Sequence, residues 1–205
     1  MKNISILFVV LAMSLTSCKN EKKETATPAE AEAAKNFVIK SEGTSVTWTA
    51  YKTTEKLPVG GEFTTVNFEE QSGTTPQEAL NNLEFSIPVS SLFTKDDTRD
   101  VKLKASFFGA MLDTEILKGT ISVENDTYVA SITMNGVTNN LLLEVSITDE
   151  RRVTLSGVMS LKDWDALGAL ESLNKVCFDL HKGPDGVSKT WEDVAIKVTT
   201  FLRDK

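Results

Sequence analysis

Apolar side chains recur at every second position along most of the chain after residue 37. Five runs show this spacing most clearly, at residues 83–89, 128–134, 141–147, 153–159 and 194–198. Successive side chains of a β-strand point to opposite faces, so the spacing predicts strands with one apolar and one polar face. A chain of this kind buries its apolar faces by packing or closing sheets, which excludes a mainly helical fold.

One turn is marked clearly in the sequence. Asn135-Gly136 directly follows the run 128–134, and both residues tolerate a positive φ, which predicts a tight β-hairpin at this point. Further strands are expected at residues 44–52, 60–68, 113–123 and 175–181.

Two segments depart from the strand spacing. Residues 98–108 and 163–173 have the apolar spacing of helices, and a shorter helical turn is expected after Pro76. The remaining strands are similar in length and joined by short turns, which is typical of a sandwich or a barrel. The length of the run 116–125 favours an antiparallel barrel, and closure also removes exposed strand edges.

The first 18 residues follow the pattern of an export signal. Met1-Lys2-Asn3 is a short positive start, and an apolar stretch at residues 4–15 leads to Cys18. This stretch is too short to span a bilayer, which takes about 20 apolar residues. Leu15-Thr16-Ser17-Cys18 resembles a lipobox, the site at which bacterial lipoprotein precursors are acylated and cut. An ordinary signal peptide cut near Ser17 is the alternative.

These patterns divide the chain into three parts. We expect residues 1–17 to be a lipoprotein signal peptide and residues 36–205 to form the barrel domain. Residues 18–35 are expected to be the lipidated cysteine and a flexible tether, because residues 19–35 contain no aromatic side chain and cannot form a core. The expected location is the bacterial cell envelope, periplasmic or surface-exposed, with the membrane as a partner through acylated Cys18.

The charge balance bears on possible partners. The chain has 22 Lys and Arg against 29 Asp and Glu, a net charge of −7. Nucleic acids are bound by clustered basic residues, and the sequence shows no such cluster, so no nucleic-acid partner is expected. An acidic surface mainly favours solubility and does not define the fold.

Candidate catalytic and metal-binding groups are few. His181 is the single histidine of the chain, and Cys177 precedes it by four residues. In the expected strand 175–181 these two side chains are about 13 Å apart, too far for proton transfer. Zinc needs three or four ligands of suitable type, and His181 with Asp179 and Asp185 does not supply them. We therefore expect no catalytic residue, no metal site and no cofactor, and an inert, buried Cys177.

The dipeptide Arg99-Asp100 has two interpretations. Asp96, Asp97 or Thr98 can cap a helix here, and Asp100 adds favourable charge to its first turn. Alternatively, Arg99 contacts a ligand headgroup at the mouth of the barrel. The sequence favours the helix cap, because acidic residues are common in the first turn of helices.

Several short motifs occur together in an order typical of one family. They are Val46-Thr47-Trp48, Gly60-Gly61-Glu62-Phe63, Ser90-Ser91-Leu92-Phe93-Thr94, Arg99-Asp100 with Leu103, Ser106 and Phe107-Phe108, Met134-Asn135-Gly136-Val137-Thr138, and Trp191 to Val198. With this order and spacing, residues 37–202 resemble the YceI-like family of periplasmic bacterial proteins, whose lipocalin-like barrel binds polyisoprenoid lipids. The chain departs from the family at residues 161–168, where many members have an Asn-Arg-x-x-Phe-Gly-like loop, so the identity of the ligand stays open.

The resemblance carries expectations for both fold and function. It implies an all-β fold, namely an antiparallel eight-stranded lipocalin-like barrel with one or two short helices. It also implies non-enzymatic binding, sequestration or transport of an isoprenoid lipid, either a polyprenyl lipid or an isoprenoid quinone. A small barrel can instead be filled by its own side chains. The alternative is therefore a structural or interaction lipoprotein of the envelope without a small ligand.

The apolar faces of the runs supply the candidate ligand-binding residues. A long apolar ligand needs few polar partners, because each buried methylene contributes about 0.8 kcal/mol. From the alternation alone, the candidates are Trp48, Phe85, Ile87, Phe107, Phe108, Leu117, Ile132, Met134, Leu143, Val145, Trp164 and Val198.

The lipobox interpretation predicts the effect of removing the acylated thiol. We expect Cys18→Ser to move the protein from the membrane fraction to the soluble fraction. The substitution removes the thiol that is acylated, and without acyl chains the protein has no membrane anchor. Fractionation followed by immunoblotting measures this, and the matched Cys177→Ser variant should stay with the membranes. A Cys18→Ser protein that still sediments with membranes would contradict the interpretation.

Overall fold

A computed structural model describes residues 36–204 of the 205-residue chain. The expected signal peptide, Cys18 and the tether lie outside the described residues. The strands are β1 (Phe37–Val38), β2 (Thr44–Lys52), β3 (Leu57–Phe63), β4 (Asn67–Phe68), β5 (Ser72–Gly73), β6 (Leu83–Pro88), β7 (Leu92–Phe93), β8 (Ile116–Glu124), β9 (Thr127–Met134), β10 (Val137–Thr148), β11 (Arg152–Ser160), β12 (Asp193–Phe201) and β13 (Arg203–Asp204).

Helices are short and lie in the connections between strands. They are α1 (Pro76–Leu80), α2 (Asp97–Lys102) and α3 (Leu167–Val176), with a π-helical turn at Leu103–Phe107 and 3₁₀ turns at Ser41–Gly43, Val89–Ser91, Phe108–Ala110, Leu161–Trp164 and Phe178–His181. Side-chain caps define two helix starts, since Thr75 Oγ1 accepts from the Glu78 N–H and Asp96 Oδ1 from the Arg99 N–H. Within residues 36–204, no helix has both the length and the apolar character needed to cross a bilayer.

The large sheet closes on itself as a barrel of eight antiparallel runs. β3 and β4 are two parts of one run, and β6 and β7 are two parts of another. These two runs pair with each other, because Phe63 pairs with Leu92 and Phe68 with Phe85. The other six runs complete the order β6-β8-β9-β10-β11-β12-β2-β3. The predicted all-β, eight-stranded antiparallel barrel with short helices is confirmed.

The predicted hairpin lies between β9 and β10. Asn135 and Gly136 have φ values of 54° and 70°, as a tight hairpin turn requires. The turn sets the register in which Met134 pairs with Val137. In consequence Leu141 faces the interior and is buried, whereas Leu142 on the outer face is 65% exposed.

The strand predicted at residues 175–181 is wrong. This segment contains the end of α3 and a 3₁₀ turn. Its alternating apolar residues are not buried, since Phe178 and Leu180 are 50% and 57% exposed. Burial instead follows a helical spacing of four through Ala169, Leu173 and Cys177. The helices predicted at 98–108 and 163–173 are confirmed with shifted boundaries.

The two ends of the barrel differ. One end is closed by α1 and by a small sheet in the order β13-β1-β5, where Phe37, Leu80, Leu83 and Leu202 are all at most 3% exposed. The opposite end carries α2, the π-helical turn and α3, which packs against that turn. Among the described residues, packed apolar side chains thus fill the end that carries α1 and the small sheet.

Inward-facing glycines make room for aromatic rings on neighbouring strands. A Cβ atom at Gly119 would collide with the Ser131 carbonyl oxygen and with the Phe85 ring, whereas at the outward-facing Gly60 its nearest neighbour is the Trp48 carbonyl oxygen at 3.5 Å. We expect Gly119→Ala to lower the free energy of unfolding by about 1–3 kcal/mol through overpacking. Gly60→Ala is the matched control and should change it little in chemical denaturation. Equal stability of the two variants would contradict this account.

Candidate ligand-binding cavity

The interior of the barrel contains an apolar cavity of about 180 Å³, here called the inner cavity. Its walls come from the inward faces of the barrel strands, with the π-helical turn and α3 covering the helical end. Among its lining residues, the polar side-chain groups are the Thr190 hydroxyl and the indole N–H groups of Trp48 and Trp191. Such a surface recognises a ligand by apolar burial and not by a pattern of hydrogen bonds.

Two aromatic side chains of the wall lie over glycines. Trp48 pairs with Gly61 and Phe85 pairs with Gly119, and a Cβ atom at either glycine would overlap the facing ring. A ring that covers a glycine on the neighbouring strand lies flat against the sheet. The glycines therefore keep these rings against the wall and leave the centre of the barrel open.

Ten of the twelve predicted ligand-binding residues line this one cavity. They are Trp48, Phe85, Ile87, Phe107, Phe108, Leu117, Ile132, Met134, Leu143 and Val198. The structure brings them together, and their contact with a ligand stays a prediction.

Val145 and Trp164 do not line the inner cavity. Val145 follows Leu143 on the inward face of β10 but is closer to the closed end, where it packs against the core. Trp164 is 1% exposed, and its indole N–H donates to the Ile132 carbonyl oxygen at 2.9 Å. Its ring holds the 3₁₀ turn against β9 and is used for packing.

Part of the lining of the inner cavity was not predicted from the sequence. Leu161, Leu170 and Leu173 cover the helical end of the cavity, although the alternation of strands does not reveal them. The available signal is the spacing of Leu170 and Leu173 on one face of α3. Asn135 holds this cover in place, since its Nδ2 donates to the carbonyl oxygens of Trp164 and Asp165 at 3.1 and 3.0 Å.

A second cavity of about 180 Å³ opens at the helical end and is here called the mouth cavity. It lies between the end of β2, α2 and the turn that follows α3, and its charged lining residues are Lys52, Asp96, Arg99 and Lys102. The two cavities share the lining residues Trp48, Ala50, Leu103, Leu173 and Thr190. The apolar inner cavity thus lies directly beside a charged opening.

The two residues of the Arg99-Asp100 dipeptide lie in different surroundings, and the contact of Arg99 with a ligand headgroup stays a prediction. Asp96 caps α2, and Asp100 is buried, where its Oδ1 accepts from the Thr94 N–H and the Thr94 hydroxyl at 2.9 and 2.6 Å. Arg99 lies in the wall of the mouth cavity and contacts the Asp96 carboxylate at 3.4 Å. The carboxylates stabilise the helix, and the guanidinium is at the opening.

Cys177 and His181 are adjacent on one helical turn and not 13 Å apart on a strand. The His181 N–H donates to the Cys177 carbonyl oxygen at 2.9 Å. Burial raises the pKa of the Cys177 thiol, and the nearby Lys102 and Lys52 oppose this only in part. A nucleophilic thiol needs the opposite shift.

The His181 ring belongs to a polar network. The Thr190 hydroxyl donates to Asn174 Oδ1 at 2.8 Å and therefore accepts from His181 Nδ1 at 2.7 Å. Burial, with the positive charges of Lys52 and Lys102, lowers the pKa of His181 from 6.5 to about 4. The imidazole is neutral at physiological pH. Among residues 36–204, no group of three His, Cys, Asp or Glu side chains converges to hold a metal ion.

The comparison with protein families gives one result. A sequence profile of the YceI-like domain matches residues 37–200, which is most of the chain. The chain belongs to the YceI-like domain family. The family resemblance that the sequence motifs indicated is confirmed.

Solved structures share the fold of this YceI-like domain at low sequence identity. A polyisoprenoid binding domain from Saccharophagus degradans, implicated in plant cell wall breakdown, has a TM-score of 0.62 and 11% identity, covering 84% of this chain and 100% of that one. BcnA of Burkholderia cenocepacia has a TM-score of 0.51 and 14% identity, covering 80% and 98%. A comparison with curated protein sequences found no match.

The segment that departs from the family motif borders the cavity of this YceI-like domain. Leu161 lines the inner cavity, and Asp165 ends the 3₁₀ turn with a φ of 51°. The two carbonyl bonds from Asn135 hold this turn over the barrel. The departure from the family motif therefore falls on the cover of the cavity and not on the barrel wall.

The environment of His181 predicts a pH dependence. Between pH 4 and 6.5 the unfolded chain binds more protons at this site than the folded chain, so the free energy of unfolding should rise with pH in this window. His181→Asn, which retains a hydrogen-bond donor, should flatten that part of the profile measured by urea denaturation. An NMR titration of the single histidine checks the cause directly, and a midpoint near 6.5 would contradict it.

Proposed function

We propose that this YceI-like domain is a non-enzymatic lipid-binding module that binds, sequesters or transports an isoprenoid lipid. The observation that carries the proposal is the apolar inner cavity inside a barrel of this family. A structure of the same fold is described as a polyisoprenoid binding domain, and the proposal extends that class of ligand to this chain. Polyprenyl lipids and isoprenoid quinones both have the required apolar chain.

Physical chemistry supports an isoprenoid chain as the buried part. Each buried methylene contributes about 0.8 kcal/mol, and the contribution falls to about 0.3 kcal/mol per atom for long ligands. An apolar cavity of about 150 Å³ holds one benzene ring. A longer chain therefore requires some lining side chains to change rotamer, and the unbranched side chains of Met134 and Met159 are suited to this.

The cellular location is part of the proposal. We place the domain in the bacterial cell envelope, anchored by acylated Cys18 and joined to the anchor by the tether of residues 18–35. The support is the Leu15-Thr16-Ser17-Cys18 pattern after an apolar stretch. An anchored carrier of this kind stays close to the bilayer from which a lipid ligand comes.

Narrowing the inner cavity tests the proposal against a barrel with a filled core. Ala130 lines the cavity and is 5% exposed. We expect Ala130→Phe to weaken binding of farnesol at least about tenfold while the melting temperature stays the same or rises, because the new ring occupies open space and gains buried area. Leu142→Phe on the outer face of β10 is the matched control and should change neither quantity.

The opposite result would identify a filled core. Overpacking a filled core typically costs about 1–3 kcal/mol. A clear loss of stability in Ala130→Phe, together with no farnesol binding by the wild type, would overturn the carrier proposal. It would favour a structural or interaction role for the envelope lipoprotein.

A further inference from the structure

The mouth cavity differs in charge from the rest of the chain. Its lining contains Lys52, Arg99 and Lys102 but only one carboxylate, that of Asp96. The positive charges therefore exceed the negative by two, in a chain whose net charge is −7. Lys52 and Lys102 are partly buried, so water screens them less than it screens surface lysines.

These cations are only partly compensated by the protein. The Arg99 guanidinium contacts Asp96 at 3.4 Å, and Lys52 Nζ donates to the Leu180 carbonyl oxygen at 3.1 Å. For Lys102, residues 36–204 provide neither a hydrogen-bond acceptor nor a carboxylate at bonding distance. A partly buried ammonium without a partner is stabilised by any anion that reaches it.

The positive charges of the mouth cavity also act on the neighbouring His181 imidazole. Burial, together with the positive charges of Lys52 and Lys102, lowers the pKa of His181 to about 4. His181 also lines the mouth cavity, so it contributes no positive charge there at neutral pH. The positive potential of the cavity comes from the three long side chains.

A buried donor also lacks an acceptor at this place. Trp48 lines both cavities and is 9% exposed, and its indole N–H has no hydrogen-bond partner among the described residues. An unsatisfied buried donor is unfavourable. The Trp48 ring therefore belongs to the wall shared by the two cavities, and its N–H is covered by neighbouring atoms.

We propose that the mouth cavity binds the phosphate or diphosphate headgroup of a prenyl lipid whose apolar chain lies in the inner cavity. Lys102, Arg99 and Lys52 contact the anion. A quinone or alcohol headgroup leaves these cations uncompensated. This inference rests on the proposed function, because the same ligand fills both cavities.

The test compares three probes, so that the contribution of the apolar chain to the affinity can be distinguished from that of the headgroup. Titration calorimetry of the full-length chain measures the affinities for farnesyl diphosphate, farnesol and inorganic pyrophosphate. We expect farnesyl diphosphate to bind about tenfold more tightly than farnesol, because charge-assisted hydrogen bonds add to the burial of the chain. Inorganic pyrophosphate should bind much more weakly than farnesyl diphosphate, because it lacks the apolar chain.

Charge variants of opposite sign assign the effect to the mouth cavity. Lys102→Gln should weaken farnesyl diphosphate binding about tenfold and leave farnesol binding within about twofold, which also shows that the barrel is folded. Asp96→Asn should tighten farnesyl diphosphate binding, since asparagine caps a helix as well as aspartate does and one negative charge is removed. Lys197→Gln, an exposed lysine on β12, is the matched control and should change neither affinity.

Each contrary result has a separate meaning. Equal affinities for farnesyl diphosphate and farnesol would overturn the headgroup inference and leave the proposed function intact. Binding of neither prenyl compound would overturn both. Inorganic pyrophosphate binding as tightly as farnesyl diphosphate, with the same loss in Lys102→Gln, would identify a site for a free anion and overturn the lipid assignment.

Discussion

The pairing between residues 57–68 and residues 83–93 is the constraint on which the rest of the structure depends. It joins the two ends of the sheet, so that every barrel strand has a neighbour on both sides. Closure gives the sheet an interior face. Because side chains alternate between the two faces of a strand, every second side chain then points into the barrel. Without this pairing the same apolar residues would form one face of an open sheet, and no enclosed cavity would exist.

The barrel stays partly open because two aromatic residues of its wall each pair with a glycine on the neighbouring strand. Trp48 covers Gly61 and Phe85 covers Gly119, so two large rings lie against the sheet and do not cross the centre. At the closed end, α1 and the small sheet bury Phe37, Val38, Ala79 and Leu80 almost completely. The two cavities therefore lie towards the helical end, where short helices and turns cover the interior.

Under the proposed function, the inner cavity and the mouth cavity have different parts in the recognition of a ligand. Apolar burial in the inner cavity provides affinity for any chain of suitable width but little choice between headgroups. Charge at the mouth provides that choice, because Lys52, Arg99 and Lys102 disfavour a neutral group relative to an anionic one.

The sequence by itself determined the strand faces, the Asn135-Gly136 turn and the helical character of residues 98–108, because these depend on local spacing and φ preference. The same local rule failed at residues 175–181, where helical burial against the barrel outweighs an alternating pattern. Only the tertiary structure decided that Val145 packs towards the closed end. It alone brings Lys52 to the same opening as Lys102, since charges fifty residues apart meet only when the barrel closes.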